Sequence, residues 1–259
     1  MQDGKALQAG TSHFLGQNFA KAFDVTFSDN NNKIQHVWAS SWGVSTRLVG
    51  GLIMTHSDDE GLVIPPRLAP TQVVIVPIPK PNEEILKVAE DISSKLKHLG
   101  IRVKIDRDKK KRPGFKFAQY EMEGVPVRIG IGKRDIENNV VEVARRDTKE
   151  KQSIELSGIE KYIETLLVEI QDNLFAKAKK FRDDRISVAE NMEQLEKILD
   201  EKGGFVKALW DGTTETELAV KEKTKATIRC IDSENSLGSG NDILSGKPST
   251  QTVLYAKSY

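Results

Sequence analysis

The sequence predicts a mixed chain, α/β at its centre and α+β on either side, and three observations lead there. Short apolar, β-branched runs, Gln72–Ile78 foremost, alternate with stretches whose apolar residues recur at helical spacing, the order of an α/β domain. Residues 1–70 are rich in Gly, Ser, Thr and aromatics and hold little that reads as a clean helix. The 259 residues carry 39 basic and 38 acidic side chains, a formal net charge of +1, with 38% hydrophobic and 30% charged residues. That composition excludes a disordered chain, a collagen-like fibre and a strongly basic nucleic-acid tail.

In the first part, the segment from Thr11 begins polar and becomes apolar by Phe23, and Leu48–Met54 is a compact apolar run. Pro65-Pro66 closes the region, because each ring removes an amide donor and restrains the residue before it. A domain boundary is expected near Pro65–Pro70, giving a first domain of residues 1–70. Gln72–Ile78 suits a strand buried on both faces. Asn82 can cap a helix that carries Ile85, Val88, Ala89, Ile92, Leu96 and Leu99 on one face and ends at Gly100. Ile101–Ile105, Val125–Ile131 and Val140–Arg146 read as strands, with a turn at Asp147–Lys149. Ser157 is expected to cap a long helix with Tyr162, Ile163, Leu166, Leu167, Ile170, Leu174 and Phe181 along one face. These elements make an α/β domain with a mixed sheet over residues 71–183. A small α/β domain follows at 184–259. It opens with a helix behind a Ser187/Glu190 capping box and continues through a strand at Phe205–Trp210. A short helix near Glu215–Lys223, Thr224–Ile231, a Ser/Gly/Asn-rich loop at Asp232–Thr250 and a final strand from Gln251 complete it.

No apolar run is long enough to span a bilayer, since the longest candidate, Leu62–Pro79, is broken by prolines. The first residues lack the apolar core of a secretory signal. One cysteine, Cys230, excludes an internal disulfide and a multi-cysteine zinc site, and fits a reducing, cytoplasmic compartment.

The strongest electrostatic feature is Lys95–Lys116, where ten basic residues face only Asp106 and Asp108, a local balance of +8. Two readings fit: a solvated, flexible loop, or a stripe that neutralises RNA phosphates. Phe115, Phe117 and Tyr120 interleave its end and offer rings for unpaired bases. His56-Ser-Asp-Asp has the residue types of a metal site, but nothing completes a ligand set, and a solvated loop is the plainer reading. His13 is either a buried, hydrogen-bonded histidine or a polar anchor in a pocket. Gly130–Gly132 and Gly238–Gly240 do not extend to a dinucleotide fingerprint, and no Ser-His-Asp or Cys-His arrangement stands out.

Three segments carry a resemblance. Ala6-Leu-Gln-Ala-Gly-Thr-Ser-His-Phe-Leu-Gly-Gln-Asn-Phe is the first, and Ser41-Trp-Gly-Val-Ser-Thr-Arg through Pro65-Pro66-Arg67 the second. Pro113-Gly-Phe-Lys-Phe with Glu121-Met-Glu-Gly-Val-Pro-Val-Arg-Ile-Gly-Ile-Gly-Lys-Arg-Asp is the third. Together they resemble the C-terminal portion of the archaeal/eukaryotic-type prolyl-tRNA synthetases, class II enzymes. The resemblance implies the end of an antiparallel catalytic sheet with motif 3 in residues 1–70, an anticodon-binding domain in 71–183, and a zinc-binding-like domain in 184–259. It implies ATP-dependent attachment of L-proline to proline tRNA through a prolyl-adenylate. Gln8, Thr11, Ser45 and Arg47 are then ATP contacts, with Gln8 also near a magnesium ion. His13, Trp42 and Gly43 border the proline pocket. Arg47 matches the motif 3 arginine, whose planar cation can stack on adenine and pair with phosphate. Glu121, Arg128 and Asp135 match the anticodon readers, and their seven-residue spacing places them on neighbouring elements. Carboxylates suit the N1–H and N2–H₂ edge of guanine, and arginine suits O6 and N7.

Two departures accompany it. Motif 1, motif 2 with its α-phosphate arginine, and the segment that holds proline's amine are missing, so a fragment with negligible activation on its own is expected, and homodimerisation belongs to the full-length enzyme. Cys230 is the sole cysteine where the family's module has several, with Ile243 and Ser245 nearby, so no zinc is expected. The competing reading is a stand-alone tRNA-binding fragment without catalytic activity.

Overall fold

The computed structural model describes residues 1–78 and 82–259; Pro79, the end of the Leu62–Pro79 stretch, lies outside them. The chain divides into two compact units, Met1–Gly51 with Ile186–Tyr259, and Leu52–Arg185. Its N-terminal part runs β1 (Thr11–Gly16), α1 (Asn18–Ala22), β2 (Thr26–Ser28), β3 (Ile34–His36), β4 (Ala39–Gly43) and α2 (Arg47–His56). β1 pairs antiparallel with β4, and β2 with β3. Helix α2 corrects the expectation of little helix before residue 70. Ser45 starts it, its hydroxyl accepting from the Arg47 N–H (3.3 Å) and its carbonyl from the Leu48 N–H (3.1 Å). Gly51 serves close approach there rather than a turn: a Cβ at this position would meet Leu7 Cδ2 at 2.5 Å.

The second unit runs β5 (Val73–Pro77), α3 (Glu83–His98), β6 (Val103–Ile105), α4 (Pro113–Met122), β7 (Val127–Ile131), α5 (Lys133–Glu137), β8 (Val140–Arg145), β9 (Lys151–Glu155) and α6 (Ile159–Asp183). The sheet order is β6-β5-β7-β8-β9, with β5 parallel to β6 and β7 and the other pairs antiparallel. It is the mixed sheet the sequence predicts. β5 and β7 are buried at every residue because both faces are covered. On one face Val73, Ile75 and Ile129 pack with Ile85 and Leu96 of α3 and Ile163 and Ile170 of α6. On the other, Val74 and Val76 pack with Tyr120 and Val125. Asn82 caps α3 by accepting from the Ile85 N–H (2.8 Å), and Gly100, at φ +76°, follows its end.

Three readings in this unit need correction. The end of the basic run is helix α4, started by Pro113, whose fixed φ suits a first turn. β9, which follows the expected turn at Asp147, is a strand the sequence pattern leaves unassigned, an exposed edge without a strong apolar alternation. Ser157 does not cap α6; Gly158 does, at φ +78°, a left-handed conformation that costs glycine nothing.

The chain then returns to the first unit through β10 (Ile186–Val188), α7 (Met192–Glu201), β11 (Phe205–Trp210), α8 (Thr214–Thr224), β12 (Ala226–Ile231), β13 (Gly240–Asn241), β14 (Pro248–Ser249) and β15 (Gln251–Lys257). The main sheet is ordered β10-β11-β15-β12, over a core of Leu195, Leu199, Val206, Val220, Val253 and Tyr255. The Ser187/Glu190 capping box is corrected: Ser187 lies in β10, and Asn191 caps α7 by accepting from the Gln194 N–H (3.0 Å). The Ala6 N–H donates to the Lys257 carbonyl (3.0 Å) and the Tyr259 N–H to the Ala6 carbonyl (3.1 Å), so the first residues lie along the end of β15.

Candidate functional site

The sequence-predicted nucleotide and proline residues fall on one short supersecondary unit. Thr11 and His13 are on β1, Trp42 and Gly43 on β4, and Ser45 and Arg47 at the start of α2, while Gln8 lies in the segment leading into β1. All seven are exposed. The register pairs Thr11 with Gly43, Ser12 with Trp42 and His13 with Ser41. Paired residues share a face and neighbours along a strand alternate, so Thr11 and His13 project from one face and Trp42 from the other. The structure therefore brings Thr11, His13 and Gly43 together and separates the Trp42 ring from them. Gly10 eases the approach here, since a Cβ would stand a tight 3.1 Å from the Gly43 carbonyl oxygen. Phe14 stacks on Trp38 with ring centroids 5.8 Å apart.

In the second unit, Glu121 is on α4, Arg128 on β7 and Asp135 on α5, three successive elements as the spacing implied. Arg128 is not a surface charge; its side chain is 5% exposed. Its Nη1 donates to Glu142 Oε1 at 3.1 Å, and its guanidinium lies 3.6 Å from the centroid of the Phe117 ring. Its Nε and Nη2, both buried, have no partner among the described residues. Those two donors form one edge of the fork, the edge that can grip two acceptors side by side. Asp135 Oδ2 accepts from the Gly132 N–H (2.7 Å), which ties the start of α5. Glu121 is half-buried, and its carbonyl accepts from Arg146 Nε (3.0 Å). Sequence reasoning missed Glu142. The signal is strand register: Gly130 pairs with Glu142 and Arg128 with Ala144, so Glu142 is the diagonal neighbour of Arg128 on one face.

The Lys95–Lys116 run is not one uniform stripe. Arg102 Nε donates to the Ala69 carbonyl (2.8 Å) and Nη2 to that of Pro66 (3.0 Å), pinning the loop before β5. Lys116 is 1% exposed; its Nζ donates to Asp106 Oδ1 (2.9 Å) and to the Asp108 carbonyl. Tyr120 is buried too, its hydroxyl donating to Asp106 Oδ2 (3.1 Å), and burial together with the Asp106 charge pushes its pKa well above the usual phenol range. Of the three rings expected to offer stacking faces, Tyr120 is in the core, Phe117 carries Arg128, and Phe115 is exposed.

His56 ends α2, half-buried, and its pKa is lowered by burial and then by Lys177. Asp58 does not sit with it as a metal ligand: it takes Arg146 Nη1 at 2.8 Å in a bidentate pair that holds its carboxyl well below the usual range. Among the described residues, no group of three or more His, Cys, Asp or Glu is placed to hold a metal ion. Cys230 is exposed, Ile243 is buried in the C-terminal core, and Ser245 Oγ donates to Asp211 Oδ2 (3.0 Å). Asp211 Oδ1 also accepts from the Thr216 hydroxyl (2.6 Å) and the Thr213 hydroxyl (2.8 Å). Burial works to raise its pKa, but these hydrogen bonds win and hold it well below the usual range.

The family model for the anticodon binding domain matches residues 72–166, and the model for the C-terminal domain of prolyl-tRNA synthetase matches residues 192–259. The chain is 58% identical over 267 residues to a proline–tRNA ligase of Bacteroides fragilis, covering 100% of this chain and 53% of the relative. To one of Phocaeicola vulgatus it is 57% identical over 265 residues, with the same coverage of 100% and 53%. Over its whole length the chain is similar to prolyl-tRNA synthetases. Among solved structures, the prolyl-tRNA synthetase of Cryptosporidium parvum complexed with L-proline and AMP matches at TM-score 0.92 and 37% identity, over 99% of this chain and 56% of that one. The same organism's enzyme complexed with halofuginone and AMPPNP matches at TM-score 0.91 and 36% identity, over 99% and 55%. The chain thus spans about half the length of the synthetases it matches. No helix among the described residues is long and apolar enough to cross a membrane.

Proposed function

We propose that this chain provides part of the nucleotide and proline site and the anticodon reader of a proline–tRNA ligase. Such an enzyme joins the proline carboxylate to the α-phosphate of ATP, releases pyrophosphate, and passes the prolyl group to the 3′ end of proline tRNA. The observation that carries this reading is that likeness to the ligases runs over the whole chain, through both units. The functional segments are residues 1–70 for catalysis, 71–183 for the anticodon and 184–259 for the C-terminal domain; the family matches over 72–166 and 192–259 support them.

Gln8, Thr11, Ser45 and Arg47 bind ATP, and His13 and Gly43 border proline, with Trp42 adjoining through its backbone because its ring lies on the other face of the β1–β4 pair. The shared face of Thr11 and His13 beside the bare Gly43 supports this, as does the exposure of Arg47 at the start of α2. Arg47 would stack on adenine and neutralise phosphate, which stabilises the charge that gathers in adenylate formation. Magnesium would enter with the nucleotide: Gln8 offers one neutral amide oxygen, and the phosphates supply the charge a hard dication needs. The C-terminal domain needs no zinc, because the Asp211–Thr213–Thr216–Ser245 hydrogen bonds and the buried Ile243 hold that region together. The complete enzyme is a cytoplasmic homodimer, as the family resemblance implies.

Glu121, Arg128 and Asp135 read the two anticodon guanines. Support comes from Arg128, whose Nε and Nη2 have no partner among the described residues and match the two acceptors O6 and N7; both atoms are buried, so a base reaches them only when the side chain is uncovered. The test is binding of the chain, at stated salt, to a proline tRNA transcript and to one with both guanines replaced. A loss of about 1–3 kcal/mol per base is expected. Equal binding to both would overturn the three assignments.

A further inference from the structure

A pocket of about 270 Å³ opens beside the carboxyl end of β6, between the segment after it and helix α4. Its floor is electrically closed. Asp106 lies there with every carboxylate oxygen engaged, by Lys116 Nζ, the Asp108 N–H and the Tyr120 hydroxyl. Arg107 is turned to Glu90 at 2.7 Å. Two cations of the lining make no ion pair among the described residues, although the Lys111 charge acts on Asp108 at the rim. Lys104 Nζ stands 5.1 Å from the centroid of the Tyr120 ring, and Lys111 Nζ donates to Gln119 Oε1 (2.9 Å) and stands 5.0 Å from the Phe115 ring. Asp108, whose Oδ1 accepts from the Lys110 N–H (2.7 Å), is the one anion left at the rim, beside exposed Lys109, Lys110 and Arg112. Phe115, 59% exposed, stands next to Lys111 with ring surface facing water.

We propose that this pocket is a nucleotide subsite for single-stranded RNA, separate from the anticodon readers: Lys104 and Lys111 hold a backbone phosphate, and Phe115 stacks the attached base. The proposal rests on the RNA-binding reading of the second unit. An anion is the fitting ligand because the lining presents ammonium protons and no free carboxylate on its floor. A nucleotide fits better than a bare phosphate, because an uncovered aromatic face adjoins the cations and any base can stack on it. A contact of this kind carries affinity without sequence information.

The test uses the full chain with the native proline tRNA transcript and the one lacking both anticodon guanines, titrated across a range of salt. Lys104→Gln with Lys111→Gln is expected to weaken binding of both transcripts by about tenfold and to lower the salt slope by about one per lysine. Phe115→Ala is expected to weaken both by a similar factor with the slope unchanged. All three side chains are exposed, so the variants retain the fold. Unchanged affinity and slope in the lysine variant, with the parent chain still binding, would overturn the subsite. A loss confined to the native transcript would overturn its assignment to phosphate. A parent chain that binds neither transcript would instead overturn the RNA reading and the subsite with it.

Discussion

Lys116 lies in the densest basic run of the chain, yet its side chain is only 2% exposed and its charge is spent on Asp106. A buried pair of this kind is worth little against an apolar replacement, but removing one partner strands the other charge in the core. Lys116→Met should therefore destabilise the protein by about 3–5 kcal/mol in urea unfolding, and Asp106→Leu on top of it should recover much of the loss. Equal stability of the single variant and the parent would refute the internal pairing. Asp58 gives a pH signature. Its carboxyl is held below the usual range, chiefly by the Arg146 side chain, so its unfolded form takes up a proton first as pH falls. The stability it contributes is whole above the ordinary carboxylate pKa of about 3.9 and drains away as pH drops below that towards the folded value. The gap in stability between the parent and Asp58→Asn should stay constant from neutral pH to about 5 and narrow below about 4. A gap that persists undiminished in strong acid would count against the pair.

At the scale of elements, caps offer a direct comparison between what sequence suggested and what the fold uses. Asn82 and Asn191 each accept an N–H of the first turn, from Ile85 at 2.8 Å and Gln194 at 3.0 Å. Asn82→Ala and Asn191→Ala should each cost about 1 kcal/mol, read by denaturant midpoint. Ser157→Ala and Ser187→Ala should cost a few tenths at most, since neither serine caps a helix. The difference explains what was legible. β5, β7, β11 and α3 were readable because their burial is complete or strictly periodic, and burial writes itself into apolar pattern. Helix α4 was not, because one face carries Lys116 inward against Asp106, a long-range pairing that no local pattern records. Helix α2 was not legible in the compact apolar run Leu48–Met54, whose Gly50 and Gly51 have low helix propensity, although Gly51 leaves room for Leu7. The candidate sites divide the same way. The residues of β1, β4 and α2 announced themselves as motifs, whereas Glu142 and the freedom of two Arg128 donors emerge only once β7 and β8 are in register.

Across the whole molecule, the two units have separate cores. The larger cluster draws only on residues from Val63 to Leu174, and the C-terminal cluster only on residues from Ala189 to Tyr255. The first unit is discontinuous in sequence, since Met1–Gly51 joins Ile186–Tyr259, whereas the second is one uninterrupted segment. An element set with its own closed core can fold alone if its backbone groups are satisfied within it. In Leu52–Arg185 the sheet meets that condition: its five strands pair among themselves, and Asp58–Arg146 and Arg102–Pro66 tie the first residues to it, while the cut at Leu52 falls inside α2 and frays only the remaining turn of that helix. Residues 52–185 expressed alone should therefore unfold cooperatively in urea and keep the same ratio of affinities for the native and guanine-replaced proline tRNA transcripts as the full chain. Glu121, Arg128, Asp135 and the Lys104–Lys111 pocket all lie within that segment. A fragment that folds but loses the discrimination would place the reader partly outside this unit. One that shows no cooperative transition would mean that the sheet depends on the remainder of the chain.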